Sequence, residues 1–171
     1  MMVIVLANLI SLIGCILMVV IGLFKDRKHI LKAQCAQWFI MGVSNLMLGG
    51  VTGFISNMVS IVRNVYTLKK DLTKPVKLGF ILLQIVISAA FNQSGMLGWL
   101  PIIAAVALTM FVDVKDERVL KLALIFGQSL WTVFDFSLMN YTAFAFDLVT
   151  IVSTVVGIRR LSKRHAVTQP A

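Results

Sequence analysis

Residues 49–64 read GGVTGFISNMVSIVRN, and the reading of this stretch decides the fold. The glycine pair permits a tight turn, because glycine reaches positive φ without steric cost. An apolar helix follows, carrying Asn57, Arg63 and Asn64. Ninety residues later, residues 139–154 (MNYTAFAFDLVTIVST) repeat the plan, with Asp147 in the place of Asn57. The recurrence predicts two copies of one helical bundle with a polar site between them.

The setting for those helices is lipid. The chain has 171 residues, of which 59% are hydrophobic and only 13% charged, with a mean hydropathy of +0.94. Soluble domains are about 45–50% apolar and about 25% charged. A soluble chain of this size has no core large enough to hide so many apolar side chains. The net charge of +9 does not point to nucleic acid. The basic residues sit in short tracts between apolar runs, as topology determinants facing anionic lipid do.

Working outward, residues 2–24 form an apolar run long enough to cross a bilayer. Without a basic n-region or a small-residue cleavage site, it reads as a retained helix and not a signal peptide. Lys25, Arg27, Lys28 and Lys32 follow, which places its end in the cytoplasm and the N-terminus outside. A second helix is expected over 33–48, and a third, capped by Thr52, running to 68. Lys69, Lys70, Lys74 and Lys77 bring the chain back inside. The fourth helix is expected over 76–91 with Pro75 at its start, the fifth over 98–112 with Pro101 in its first turn, the sixth over 119–136 and the seventh over 141–158. The segments 92–95 and 137–140 are uncharged outer turns, and 113–118 is a charged inner loop. With this count, all 16 Lys and Arg fall in inner loops, the tail or the inner half of a helix.

The fold class is therefore an all-α membrane protein of seven transmembrane helices. Residues 1–70 form a first triple-helix bundle, 71–96 an inverting linker helix, 97–160 a second bundle and 161–171 a basic cytoplasmic tail. Shifting the chain by 90 residues pairs Lys25-Asp26 with Lys115-Asp116, Lys28 with Arg118, Asn45 with Asp135, Thr52 with Thr142, Asn57 with Asp147, and Lys69-Lys70 with Arg159-Arg160, without a gap. Because the fourth helix supplies one extra crossing, both units share an orientation. This is a 3+1+3 parallel repeat, one of the symmetric plans of transporters.

That pattern resembles the SWEET-like superfamily of seven-helix transporters. The resemblance implies a substrate site with an Asn in the third helix, another in the seventh and a Trp one helix earlier. Asn57, Asp147 and Trp131 occupy those helices here, while Met41 stands where Trp131's mate would be. The chain is also similar to the uncharacterised bacterial inner-membrane family of the YgjV type. Phe24 with Asp26 and Gln34, Gly42-Val43, Leu48-Gly49, Arg63, Leu100-Pro101 and Ile158-Arg159 carry that likeness. It implies a multi-pass inner-membrane location and no substrate.

Polar groups at membrane depth are the candidate functional residues. Asn57 lies about 8 Å below the outer end of its helix, and Asp147 equally deep in the seventh. If both units face one axis, the two meet across a cavity. Asn offers donor and acceptor, a carboxylate acceptors only, so the pair can read hydroxyls, an amide or a cation. Asp147 is also a candidate proton carrier. Hydrogen-bonded glue between helices explains the same residues equally simply. Asn45 and Asp135, nearer the outer ends, read as a gate or vestibule, or as helix-end caps. Arg63 is expected to snorkel toward the cytoplasm, the alternatives being attraction of an anion or pairing with Asp113. Trp131 is a stacking or a packing residue. Trp38 is lipid-facing or packed, Gln84 and Gln128 are interhelical amides, and Phe134, Phe136, Phe144 and Phe146 form a packing cluster. Gly42 and Gly127 allow close helix approach.

Cys15 and Cys35 read as packed thiols, and His29 and His165 as interfacial. No spacing supports a metal, a cofactor or a catalytic constellation. The expected partners are membrane lipids and a small polar solute, with a homo-oligomer left open and nucleic acid excluded. The expected function is small-solute transport or facilitation, with a non-transporting structural or assembly role as the alternative.

Overall fold

Every described element of the computed structural model is an α-helix. The structure describes residues 1–21, 24, 26–112, 114 and 116–168. In chain order the helices are α1 (Met2–Ile21), α2 (Arg27–Met47), α3 (Val51–Thr67), α4 (Lys74–Ala90), α5 (Trp99–Phe111), α6 (Glu117–Ser137) and α7 (Tyr141–Thr168). By length and composition alone, α1, α6 and residues 141–159 of α7 are apolar enough to cross a membrane.

The helix count matches the sequence reading, and the boundaries move for identifiable reasons. α2 begins six residues before the expected Ala33, because Asp26 accepts the backbone N–H of His29 and caps it. Asp116 caps α6 in the same way, accepting from Arg118 and Val119. Basic residues assigned to the loop before α2 thus lie in its first turns, because a capped helix need not stop at the lipid surface. α7 runs to Thr168, carrying the basic segment expected to be a separate tail. Thr52 does not cap α3. Gly50 holds the N-cap position with no side-chain bond, and the buried Thr52 hydroxyl meets no partner among the described residues. Lys25, Asp113 and Lys115, which entered the charged-loop comparison, lie outside the described residues.

The turn that opens residues 49–64 closes α2 with a Schellman motif. Gly49 donates to the Leu46 carbonyl at 3.1 Å and Gly50 to the Asn45 carbonyl at 2.7 Å, with Gly49 at φ 82°. Ninety residues on, Met139 donates to Phe136 at 3.1 Å and Asn140 to Asp135 at 2.9 Å, with Met139 at φ 61°. One backbone turn is built twice, first with glycine and then with methionine.

Packing follows a matching order. α2 lies against α1 and α3, and α6 against α5 and α7. Across the units, α3 meets α5 and α1 meets α7, while α4 contacts α3 and α5. A Cβ on Gly42 would lie 3.0 Å from the Met58 methyl and 3.3 Å from the Phe54 ring, and one on Gly127 3.2 Å from Leu108. Both glycines do permit the expected close approach.

The interior is polar and the exterior apolar, the reverse of a soluble domain. Ser11, Ser44, Asn45, Thr52, Ser56, Asn57, Arg63, Asn64, Gln84, Ser88, Asp135, Asn140 and Asp147 are buried. Leu9, Ile13, Leu82, Val86, Phe126, Val133, Val149 and Val152 are exposed. The aromatic cluster splits along this line. Phe134 is fully buried, whereas Phe136 faces outward and packs on Tyr141 and Phe144.

Candidate functional site: a carboxyl pair and its amide neighbours

The sharpest buried polar cluster lies where α6 turns into α7. Asp135 comes from the last turn of α6 and Asp147 from the second turn of α7. Their carboxyls lie against each other. Asp135 is 2% exposed and Asp147 6%. Gln128, two turns before Asp135 on α6, donates its amide to Asp147 Oδ1. Asp135 Oδ1 and Asp147 Oδ2 are sealed and meet no donor among the described residues. A carboxyl pair of this kind can share a proton, one acid donating to its neighbour, or hold a cation between its oxygens.

Asn140 links the pair to α2. It ends the α6 Schellman turn, lies against the Asp135 carboxyl, and caps α7 by accepting Ala143 N–H at 3.4 Å. Its amide also donates to Asn45 Oδ1 on α2 at 3.4 Å. The matched pair Asn45 and Asp135 is therefore joined through a third residue that the sequence reading placed only in an outer turn.

α1 closes this end. Asn8 donates to the Met139 carbonyl at 2.9 Å and accepts Thr142 N–H at 2.9 Å, so one side chain serves the end of α6 and the start of α7. Three residues on, Ser11 and Ser44 share a hydrogen bond of 2.7 Å, and Ser44 donates to the Ala7 carbonyl at 2.8 Å. Asn8 is the only amide in the first apolar run, and that was the available signal for it.

Other expected residues fall elsewhere. Asn57 is 6% exposed on α3, packed beside Gly42 of α2. Asn57 and Asp147 are held at different interfaces, and no hydrogen bond joins them among the described residues. Trp131 packs edge-to-face on Phe134, centroids 5.8 Å apart. Phe134 in turn fills the space over α3's first turn, where a Cβ on Gly53 would fall 2.6 Å from its ring. Gln84 bonds Ser56 of α3 and Ser88 of its own helix, both at 2.8 Å, the interhelical role expected of it. A depression of about 310 Å³ is lined by Val3, Ile4, Met47, Leu48, Ser137, Leu138 and Met139, and neither carboxyl lines it.

Arg63 departs from expectation. It is 6% exposed and does not snorkel. Its Nη1 donates to Thr109 Oγ1 of α5 at 2.6 Å, and its guanidinium lies over the Trp38 ring, 5.5 Å from the centroid. Trp38 is thereby packed. The expected alternative partner, Asp113, lies outside the described residues.

A family model described as Imp-YgjV, bacterial inner membrane protein, matches residues 5–165. The chain belongs to that family, and its place is the bacterial inner membrane. No curated protein and no solved structure matches it.

Proposed function

We propose that this member of the bacterial inner-membrane family carries a small polar solute across the membrane. The carboxyl pair Asp135–Asp147 is its coupling site. In this reading all seven helices span the bilayer, N-terminus outside and C-terminus in the cytoplasm, as a 3+1+3 parallel repeat whose units rock about the site. The matched turns, the matched Asp26 and Asp116 caps and the paired α3–α5 and α1–α7 contacts support the repeat. The inner placement of the basic residues supports the orientation.

The observation that carries the reading is the pair of buried carboxyls, Asp135 and Asp147, lying against each other from α6 and α7. Ionisable groups deep in a membrane bundle are costly and mark pathways for ions, protons or substrates. Two buried carboxyls held against each other can keep a proton between them or exchange it for a cation, which suits a coupling site. Gln128 and Asn140 supply the amides that hold the two carboxyls in place.

The test is accessibility. Cys15 and Cys35 are replaced by Ala, one cysteine is placed by Asp147→Cys or Asn57→Cys, and a membrane-impermeant thiol reagent is applied from each side in turn. Transport requires labelling of the position 147 cysteine from both faces, with a Ser94→Cys control reacting only from outside. Failure to label at both positions, with the control reacting, overturns the reading. A second reading, a non-transporting structural protein, is favoured by the full burial of Phe134 between the units, and that silence would support it.

A further inference from the structure

The inner half of the bundle holds a second polar cluster, built from α2, α3 and α5 and sharing no residue with the carboxyl pair. Arg63 is its centre. A guanidinium presents five N–H donors in a rigid fork. Here one of them reaches Thr109. The Thr109 hydroxyl donates onward to the Ala105 carbonyl at 2.7 Å, so it is oriented to accept from Arg63. Trp38 receives the positive charge on its face but takes no N–H. No carboxylate pairs with Arg63 among the described residues. The neighbouring amides are engaged with each other, Asn64 donating to Gln34 Oε1 at 3.0 Å.

A buried cation is stabilised when an anion completes its hydrogen bonds, and costly otherwise. Arg63 is five residues from the C-cap Leu68, about 7.5 Å from the inner end of α3. The turn beyond it exposes Lys69, Lys70 and Lys74, with Asp71 among them. Such a basic rim concentrates multivalent anions more than monovalent ones.

We propose that Arg63, framed by Trp38 and Thr109, binds an oxyanion of the phosphate class at the cytoplasmic half of the bundle. The fork seats two oxygens in parallel, the geometry in which arginine surpasses lysine. The phosphate comes either from an anionic lipid headgroup of the inner leaflet or from a free phosphate-bearing solute. The site is independent of the transport reading, because none of its residues belongs to the carboxyl pair.

Trp38 is the reporter. In the full chain carrying Trp99→Phe and Trp131→Phe it is the one remaining indole, since the chain has three. The protein in uncharged detergent is titrated with inorganic phosphate against chloride at constant ionic strength. Trp38 emission is expected to change saturably. Arg63→Gln should abolish the change, and Arg63→Lys should raise the midpoint at least about tenfold, because an ammonium presents no fork. If the glutamine variant does not fold, as judged by circular dichroism and size exclusion, the lysine variant carries the test. Nanodiscs separate the sources. A phosphate response in phosphatidylcholine that is already saturated in phosphatidylglycerol assigns a headgroup, and an equal response in both assigns a free solute. Three results overturn the site: no response in detergent together with identical spectra in the two lipids; a response that survives Arg63→Gln; or a response that appears only after Asp113→Asn, which would make Asp113 the resident counterion.

Discussion

The turns at 48–50 and 138–140 have the same backbone and opposite side-chain strategies. In the first, Gly49 takes the left-handed conformation at no steric cost and Gly50 lets Phe134 and Leu138 press onto the chain. In the second, Met139 accepts a conformation that L-residues rarely adopt, and Asn140 fills the position of Gly50 with an amide that caps α7 and reaches both Asn45 and Asp135. The Schellman hydrogen bonds are the common requirement, because a buried helix end must satisfy its last carbonyls. Where glycine meets it, the freed space receives the Phe134 ring of α6. Where larger residues meet it, the turn becomes part of the polar cluster. Backbone geometry is thus shared while steric and polar roles are divided between the halves.

If that division is right, the largest effect comes from the ring that enters the glycine turn. Phe134→Ala removes a fully buried side chain lying over Gly50 and Gly53 and is expected to cost about 3–5 kcal/mol. The check is unfolding in mixed detergent micelles, followed by circular dichroism. Gly53→Ala attacks the same contact from the other side. Its Cβ would lie 2.6 Å from Phe134 and 2.9 Å from Asn45 Nδ2, for an expected loss of about 1–3 kcal/mol. In the double variant the truncated ring makes room for the methyl, so its loss should be smaller than the sum of the two single losses. Strict additivity would break the comparison, since the two sites would then not be in contact.

The legibility of the fold follows from where the partners of each residue lie. Helix number and the glycine turn were readable because apolar runs, glycines and basic tracts are local signals. The early start of α2 was harder, because Arg27, Lys28 and Lys32 follow an apolar run and read as loop, while the cap at Asp26 that starts the helix carries no apolar signal. Asn140 reads as an ordinary turn residue, and its tie to Asn45 spans 95 positions. Arg63 was expected to reach water, and Thr109 of α5 with Trp38 of α2 hold it inside instead. The offset of 90 residues located Asn45, Asn57, Asp135 and Asp147 as special positions. It gave no indication that Asp135 and Asp147 would sit together, because that contact lies within one unit and depends on how α6 packs on α7.

A smaller effect tests the covering of the second turn by α1. Asn8→Ala removes both the bond to the Met139 carbonyl and the cap on Thr142. Loss of a cap and a helix–helix bond together is expected to cost about 1–2 kcal/mol. Hydrogen exchange should rise at the first turn of α7 and stay unchanged at the first turn of α3, which Asn8 does not touch. Equal loosening of both would mean that α1 holds the units together as a whole and does not serve the second turn in particular.

The smallest effect reads the backbone difference itself. Met139 stands at φ 61° and Gly49 at φ 82°, and nothing lies within 4 Å of where a Cβ on Gly49 would point. Strain and packing are therefore separable here. Gly49→Ala meets no neighbour and should still destabilise by about 1 kcal/mol, purely from the left-handed backbone. Met139→Gly relieves the same strain in the second turn. The methionine side chain is half exposed, so little packing is lost, and the variant should be neutral or more stable by up to about 1 kcal/mol after the added freedom of the unfolded glycine is counted. Opposite signs for the two substitutions, measured in the same micelle titration, would establish that one turn geometry is imposed on both sequences. A marked loss for Met139→Gly would instead assign the methionine a packing role, and the second turn would then be held by its side chains and not by its hydrogen bonds.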